Sequence, residues 1–153
     1  MEALLEQGGV VLIIAGLIII AILSLLVALI LQLSMQMALG AKPTYGNAYV
    51  TTFVAYLVVG TVQSAFRAIT GNPLDSELGL PPREWLVLTL ISYVTQSLIY
   101  GLLLKYPESG AIGFGKGMFV SLIQTVLVVV ITIAILFAVL ILVFIATLIF
   151  GGG

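Results

Sequence analysis

Several polar residues in the apolar stretches of this chain fall near one depth, and side-chain chemistry is most concentrated there. The candidate layer consists of Gln32, Thr52, Tyr56, Gln96 and Gln124, and Ser92, Thr95 and Thr125 lie close to it. Each glutamine lies eight or nine residues from a loop or helix start that carries a lysine, which at 1.5 Å per helical residue is a depth of about 12 to 14 Å. The spacing therefore predicts a polar layer at one depth of a membrane.

Amides and hydroxyls in hydrocarbon can donate and accept hydrogen bonds, and such bonds between helices are worth about 0.6 kcal/mol on average and up to about 2 kcal/mol. Three interpretations of the layer remain open. It is a structural belt that fixes the register of the bundle, a binding site for a small polar group or for a lipid or quinone headgroup, or the lining of a pore that needs several copies of the chain.

The residues that the chain lacks exclude several kinds of site. With no Cys and no His, it has no thiolate nucleophile, no zinc–thiolate or iron–sulfur site and no imidazole base. We therefore expect no catalytic residues, no metal site and no cofactor other than a possible lipid or quinone contact. No carboxylate lies in the interior of an apolar stretch, which disfavours transport coupled to protons or cations.

The overall composition indicates an integral membrane protein. Of the 153 residues, 62% are hydrophobic and 7% are charged, and the mean hydropathy is +1.34. Soluble domains carry roughly 25% charged residues. The net charge of −1 leaves no basic patch for phosphates, so nucleic acid is not an expected partner.

Four apolar stretches predict an all-α polytopic membrane protein with four transmembrane helices. They form a single transmembrane domain over residues 1–153. The spans cover about 9–39, 45–69, 84–105 and 114–150. The first is about 46 Å long as a helix, against a hydrocarbon core of about 30 Å. We expect the excess lengths of the first and fourth spans to lie on the same side, the side of Lys42 and Lys116.

The second and fourth spans open on similar phrases, Tyr45-Gly46 and Phe114-Gly115, each followed by a polar residue, a small residue and an apolar run. Because the two copies would cross the membrane in the same direction, the four spans form two helical hairpins in a possible parallel internal repeat. Coincidence between two low-complexity segments is the alternative.

Small residues at four-residue spacing predict where helix backbones approach closely, because no hydrophobic effect drives association in lipid. These candidate packing residues are Gly60, Ser64 and Ala68 on the second span, Ser97 and Gly101 on the third, and Ala134 and Ala138 on the fourth. Packing within one chain is favoured over contacts between copies.

The basic residues give a weak bias in orientation. Three lysines (Lys42, Lys105 and Lys116) fall on one side of the predicted spans and two arginines (Arg67 and Arg83) on the other. The positive-inside rule then places both termini outside, and we expect a bacterial inner membrane as the location.

Function is inferred mainly from what is missing. The first hypothesis is a non-catalytic integral membrane subunit, or an assembly or stabilising factor, of a larger membrane protein complex, with membrane lipid and other membrane subunits as partners. The alternative is a small oligomeric transporter or channel, including a holin-like protein, with an intramembrane glutamine layer. An enzyme is not expected, because no motif joins the few reactive residues.

Overall fold

The computed structural model describes residues 2–71, 81–106 and 110–150 and is all-α apart from one short hairpin. The helices are α1 (Glu2–Leu39), α2 (Tyr45–Thr70), α3 (Pro82–Leu103) and α4 (Phe114–Phe150). Strands β1 (Lys105–Tyr106) and β2 (Gly110–Ala111) pair antiparallel between α3 and α4. All four helices are long and apolar enough to cross a membrane, which confirms the predicted four-span membrane architecture.

Local sequence explains where the inner helices begin and end. Thr44 caps α2, since its hydroxyl accepts a hydrogen bond from the Asn47 backbone N–H at 3.3 Å. Gly71 ends α2 in the left-handed conformation with φ of 70°, and its N–H donates to the Arg67 carbonyl. Pro82 occupies the first turn of α3, where the missing N–H has no partner to lose.

After α1 ends, the chain runs back along that helix before α2 begins. The Gln32 Nε2 donates to the Pro43 carbonyl at 2.8 Å, and the Tyr45 hydroxyl donates to the Leu25 carbonyl at 3.0 Å. The start of α2 therefore lies beside the middle of α1, and about two turns of α1 extend past it. Met35, on that extension, is buried in the main core cluster with Ile112 of the α3–α4 connection.

Asn47 fastens the start of α2 to the end of α3. Its Nδ2 donates to the Leu103 carbonyl at 2.9 Å, and its Oδ1 accepts from the Lys105 backbone N–H at 3.1 Å. One side chain thus satisfies a terminal carbonyl of α3 and the amide that opens β1. The loop after α1 and the hairpin after α3 consequently lie at the same end of the bundle.

The extra length of α4 lies at the opposite end of the bundle from that of α1. Gly117 packs against Ser97 and Gly101, so α4 begins level with the end of α3. From Gly117 the helix runs to Phe150, whereas α3 extends back from Gly101 only to Pro82. About four turns of α4 therefore pass beyond α3. The expectation that both excess lengths lie on the side of Lys42 and Lys116 is wrong.

Packing is concentrated in the half of the bundle next to the hairpin. The buried core residues there come from all four helices and the α3–α4 connection: Ala28, Leu31, Met35, Ala48, Ala55, Ile99, Tyr100, Leu104, Ile112 and Val120. Beyond Gln124, none of the α4 side chains that the structure describes is buried. The bundle is thus a packed half joined to a loosely packed half.

Only one of the predicted small-residue stripes is a helix contact within the chain. Ser97 and Gly101 are buried where α3 meets α4, and their partner is Gly117. The stripe on α2, Gly60, Ser64 and Ala68, is exposed, and so are Ala134 and Ala138 on α4. The prediction of packing within one chain is wrong for these two stripes. Other residues of α2 face the neighbouring helices, and Ala134 lies beyond the packed half of the bundle.

The two copies of the aromatic–glycine phrase both open a helix, as predicted. A Cβ on Gly46 or Gly115 would meet nothing within 4 Å, so neither glycine serves a close contact. The residues that follow differ in role, since Asn47 fastens two helix ends whereas the Lys116 Nζ lies 4.9 Å from the Tyr106 ring centroid. The internal repeat stays a prediction.

Candidate functional site

The predicted glutamine layer divides into two parts. Gln96 on α3 and Gln124 on α4 lie together, with Gln96 Nε2 donating to Gln124 Oε1 in a long bond of 3.4 Å. The same Nε2 donates to the Tyr100 hydroxyl at 2.8 Å. Gln32 is buried elsewhere, against the Pro43 carbonyl, where it holds the loop after α1. Two of the three glutamines thus form a cluster, and the third stabilises the loop after α1.

The other two predicted members behave differently from each other. Thr52 is fully buried, and its hydroxyl donates to the Ala48 carbonyl of its own helix at 2.8 Å, so it takes no part in the cluster. Tyr56 lies one turn further along α2, is 39% exposed and lines a cavity together with Gln96 and Tyr100. Its hydroxyl forms no hydrogen bond with the described residues.

Sequence reasoning missed two members of this cluster, Gln63 and Tyr100. Gln63 Nε2 donates to Ser92 Oγ at 3.0 Å, which joins α2 to α3 near the middle of the membrane. Tyr100 is 1% exposed and lies one helical turn after Gln96. The i to i+4 spacing of Gln96 and Tyr100 was a usable signal for a shared face. For Gln63, the only signal in the sequence was a polar residue within an apolar stretch.

The polar side chains surround a cavity of about 370 Å³ between α2 and α3. Its polar lining is Tyr56, Gln63, Ser92, Gln96 and Tyr100, and its apolar lining is Ala55, Val59 and Gly60. A second cavity of about 260 Å³ shares Gln63, Ser92 and Gln96 and reaches Thr125 on α4. We call the first of these spaces the α2–α3 cleft. It is large enough for a small head of a ligand, at the low end of the usual range.

The cleft lies in the interior of the membrane-spanning region. Ser92 is ten residues from Pro82 and eleven from Leu103, at the middle of α3. Tyr100 is three residues from the end of the same helix. The cleft therefore extends from near one interface to about the midplane of the bilayer.

The chain matches no protein-family model, no curated protein and no solved structure. What the protein can bind must therefore be inferred from the residues that line the cleft. Among the described residues that line the cleft, the polar groups are amides and hydroxyls and none is charged. The described part of the chain also holds no cluster of three or more metal-ligating side chains. Such a lining can bind and orient a neutral group but offers no base or nucleophile of ordinary strength.

Two buried hydroxyls near the packed half have no partner among the described residues. They are Thr51 Oγ1 on α2 and Ser121 Oγ on α4. Both side chains are fully buried, and a buried hydroxyl without a hydrogen bond is costly. Neither lines the cleft, so we treat them as features of packing rather than of the site.

Proposed function

We propose that the protein is a non-catalytic integral membrane subunit, or assembly factor, of a larger membrane protein complex, and that it docks through the free half of α4. The observation that carries this proposal is the surface of α4 over 128–145. Every side chain there is exposed, and all are apolar except Thr132. A partner's transmembrane helices would cover this surface.

The length of α4 supports a protein partner over lipid alone. Its 37 residues form a helix of about 55 Å, whereas the 22 residues of α3 span about 33 Å, close to the hydrocarbon thickness. Because α4 starts level with the end of α3, its last four turns continue about 20 Å past the start of α3. That start carries Arg83 and an exposed Trp85, residue types typical of the membrane interface. The apolar turns of α4 that continue past this interface must be covered by another protein, or the helix must tilt strongly to keep them in the hydrocarbon.

Photo-crosslinking in native membranes tests the proposal. A photoreactive phenylalanine analogue in place of Phe137 probes the free half of α4, and the same analogue at Phe119 is the control in the packed half; the two rings are 62% and 49% exposed. We expect the Phe137 position to link to one membrane protein that also co-purifies at a fixed ratio in mild detergent. Ala138→Trp should release that protein, because it places a bulky ring on the docking surface.

Two outcomes would contradict this proposal. A crosslink from position 137 to a second copy of this chain would favour the oligomer of the alternative hypothesis. Equal crosslinking from positions 119 and 137, or adducts with lipid only, would mean that the free half of α4 has no dedicated partner.

We assign the protein, as part of the same proposal, to a bacterial inner membrane with both termini outside. The support is charge: the loop with Lys42 and the hairpin region with Lys105 and Lys116 lie at one end of the bundle, and Arg67 and Arg83 lie towards the other. Basic residues favour the cytoplasmic side. Enzyme activity is not part of the proposal.

A small oligomeric transporter or channel is the second candidate, and one observation favours it. The exposed stripe Gly60, Ser64 and Ala68 runs along α2 beside the α2–α3 cleft. Small residues of this kind allow helices of neighbouring copies to approach closely. Solute flux into proteoliposomes that depends on protein density, and that Ser64→Leu abolishes, would support a transporter; tight vesicles at every density would refute it.

A further inference from the structure

We propose that the α2–α3 cleft binds the uncharged, carbonyl-bearing head of a membrane-soluble amphiphile, which enters from the bilayer. The chemistry required is an acceptor oxygen, or a pair of them, on a neutral head with an apolar tail. Either an isoprenoid quinone or an ester-linked acylglycerol could supply it.

The hydrogen bonds within the cleft leave it rich in donors. In both amide–hydroxyl pairs, Gln63 with Ser92 and Gln96 with Tyr100, the amide nitrogen donates and the hydroxyl oxygen accepts. The hydroxyl hydrogen of Ser92 is thus left to donate into the cleft, whereas the buried Tyr100 hydroxyl also meets the Gln124 side chain. Tyr56 adds a second available donor, because its hydroxyl has no hydrogen-bond partner among the described residues. A ligand that presents acceptors fits this arrangement.

The location of the cleft makes those free donors costly when the cleft is empty. Ser92 lies at the middle of α3, where the bilayer supplies few water molecules. An unpaired polar group in hydrocarbon costs free energy that a carbonyl oxygen would recover. A carbonyl that arrives on a lipid-soluble molecule can reach this depth, whereas a free polar solute would have to leave water first.

The lining also sets the charge and shape of the ligand. No charged side chain among the described lining residues could compensate a phosphate, carboxylate or ammonium, and an unpaired charge is expensive at this depth. Ala55, Val59 and Gly60 give the cleft an apolar wall on α2. A Cβ on Gly60 would meet no atom within 4 Å, and this residue is exposed, so the cleft opens towards lipid at this point.

Gly60 gives a direct way to close the cleft without disturbing the fold. Gly60→Leu adds a side chain where there is open space, so we expect the variant to fold. Gly16→Leu is the matched control, because Gly16 also has nothing within 4 Å and lies on α1, away from the cleft. Tyr56→Phe and Ser92→Ala each remove one donor and leave the space open.

Binding is measured on the full-length protein in detergent with two probes, a decyl-substituted benzoquinone and dioctanoylglycerol, by the shift in thermal unfolding with probe concentration. We expect at least one probe to saturate. Gly60→Leu should weaken it by more than about tenfold, each donor variant by about two- to tenfold, and Gly16→Leu not at all. Circular dichroism confirms folding of each variant, and the donor variants serve if Gly60→Leu does not fold.

The outcomes separate the two sources of the ligand. Saturation by the quinone alone identifies a quinone site, saturation by the acylglycerol alone identifies a lipid site, and saturation by both supports the shared carbonyl chemistry. If neither probe saturates, or if Gly60→Leu and both donor variants bind like the wild type, the proposal is overturned. Equal weakening by Gly16→Leu also overturns it.

Discussion

Adding one methyl group to Gly117 should separate α3 from α4 and destabilise the bundle. The ideal Cβ of residue 117 would lie 2.6 Å from the Gly101 nitrogen and 3.0 Å from the Gly101 Cα, and it would also collide with the Ser97 carbonyl oxygen. All three atoms belong to the backbone, so no side-chain rotation can relieve the overlap. Ordinary contact begins at 3.4 Å, so the helices must move apart by at least about 0.8 Å at the Gly101 nitrogen and by more at the Ser97 oxygen, which lies closer still.

The size of the effect follows from that displacement. A gap of 0.5 to 1 Å removes a quarter to a half of the dispersion energy of the atoms across it, and overpacking of this kind costs about 1–3 kcal/mol. The bond from Gln96 to Gln124 is already 3.4 Å long and would break, which adds about 0.6 kcal/mol. Alanine favours a helix over glycine by about 0.5–1 kcal/mol, which offsets part of the loss. The expected net loss is about 1–3 kcal/mol.

Gly115→Ala is the matched control, two residues earlier in the same helix. A Cβ on Gly115 would meet nothing within 4 Å, so only the helix-propensity term remains. We expect Gly115→Ala to be neutral or to stabilise by about 0.5–1 kcal/mol. The free energy of unfolding is measured in mixed micelles with increasing sodium dodecyl sulfate, followed by the fluorescence of Trp85, the single tryptophan. If Gly117→Ala proves as stable as Gly115→Ala, then α3 and α4 do not meet through these glycines.

Three further predictions concern the buried polar groups and the topology. Thr51→Val should stabilise the protein, because it removes a buried hydroxyl that has no partner among the described residues. The adjacent Thr52→Val should not stabilise it, because that variant loses the hydrogen bond to the Ala48 carbonyl. Unfolding of both variants in detergent compares them directly. Gln124→Leu should lower the free energy of unfolding by about 1 kcal/mol, and an unchanged value would mean that the amide bond contributes nothing. In a chain without cysteine, Pro81→Cys should react with an impermeant maleimide applied from outside and Ala111→Cys should not; the reverse pattern would overturn the proposed orientation.

Composition and the lengths of the apolar stretches were sufficient to predict the architecture. Uninterrupted apolar stretches of bilayer length define spans regardless of their neighbours, because each span must satisfy its own backbone in lipid. The starts of α2 and α4 were predicted to the residue, since Pro43 and the glycines of 110–113 interrupt the helical pattern. The relative levels of the helices were not predictable in this way. They depend on Asn47 bridging to Leu103 and on the chain turning back beside α1, and neither interaction has a signature in local sequence.

The candidate site was predicted in part for a similar reason. Depth along a helix can be counted from the nearest loop, and this count correctly grouped Gln96 with Gln124. The face of a helix is harder to infer, because the apolar residues of these spans surround the whole helix and leave no amphipathic pattern. Gln32 has the predicted depth but points to Pro43, and Gly60 has the predicted spacing but lines the open α2–α3 cleft instead of packing against a neighbouring helix.

The two proposed binding surfaces depend on the same contact between glycines. Gly101 and Gly117 bring α3 and α4 together at the hairpin end, and this contact places Gln124 within reach of Gln96 one to two turns further along. Gln96 in turn donates to Tyr100, which lines the α2–α3 cleft. The same contact fixes the direction in which α4 leaves the packed half. Gly117→Ala should therefore weaken both ligand binding and partner docking, whereas Gly60→Leu should affect the ligand alone.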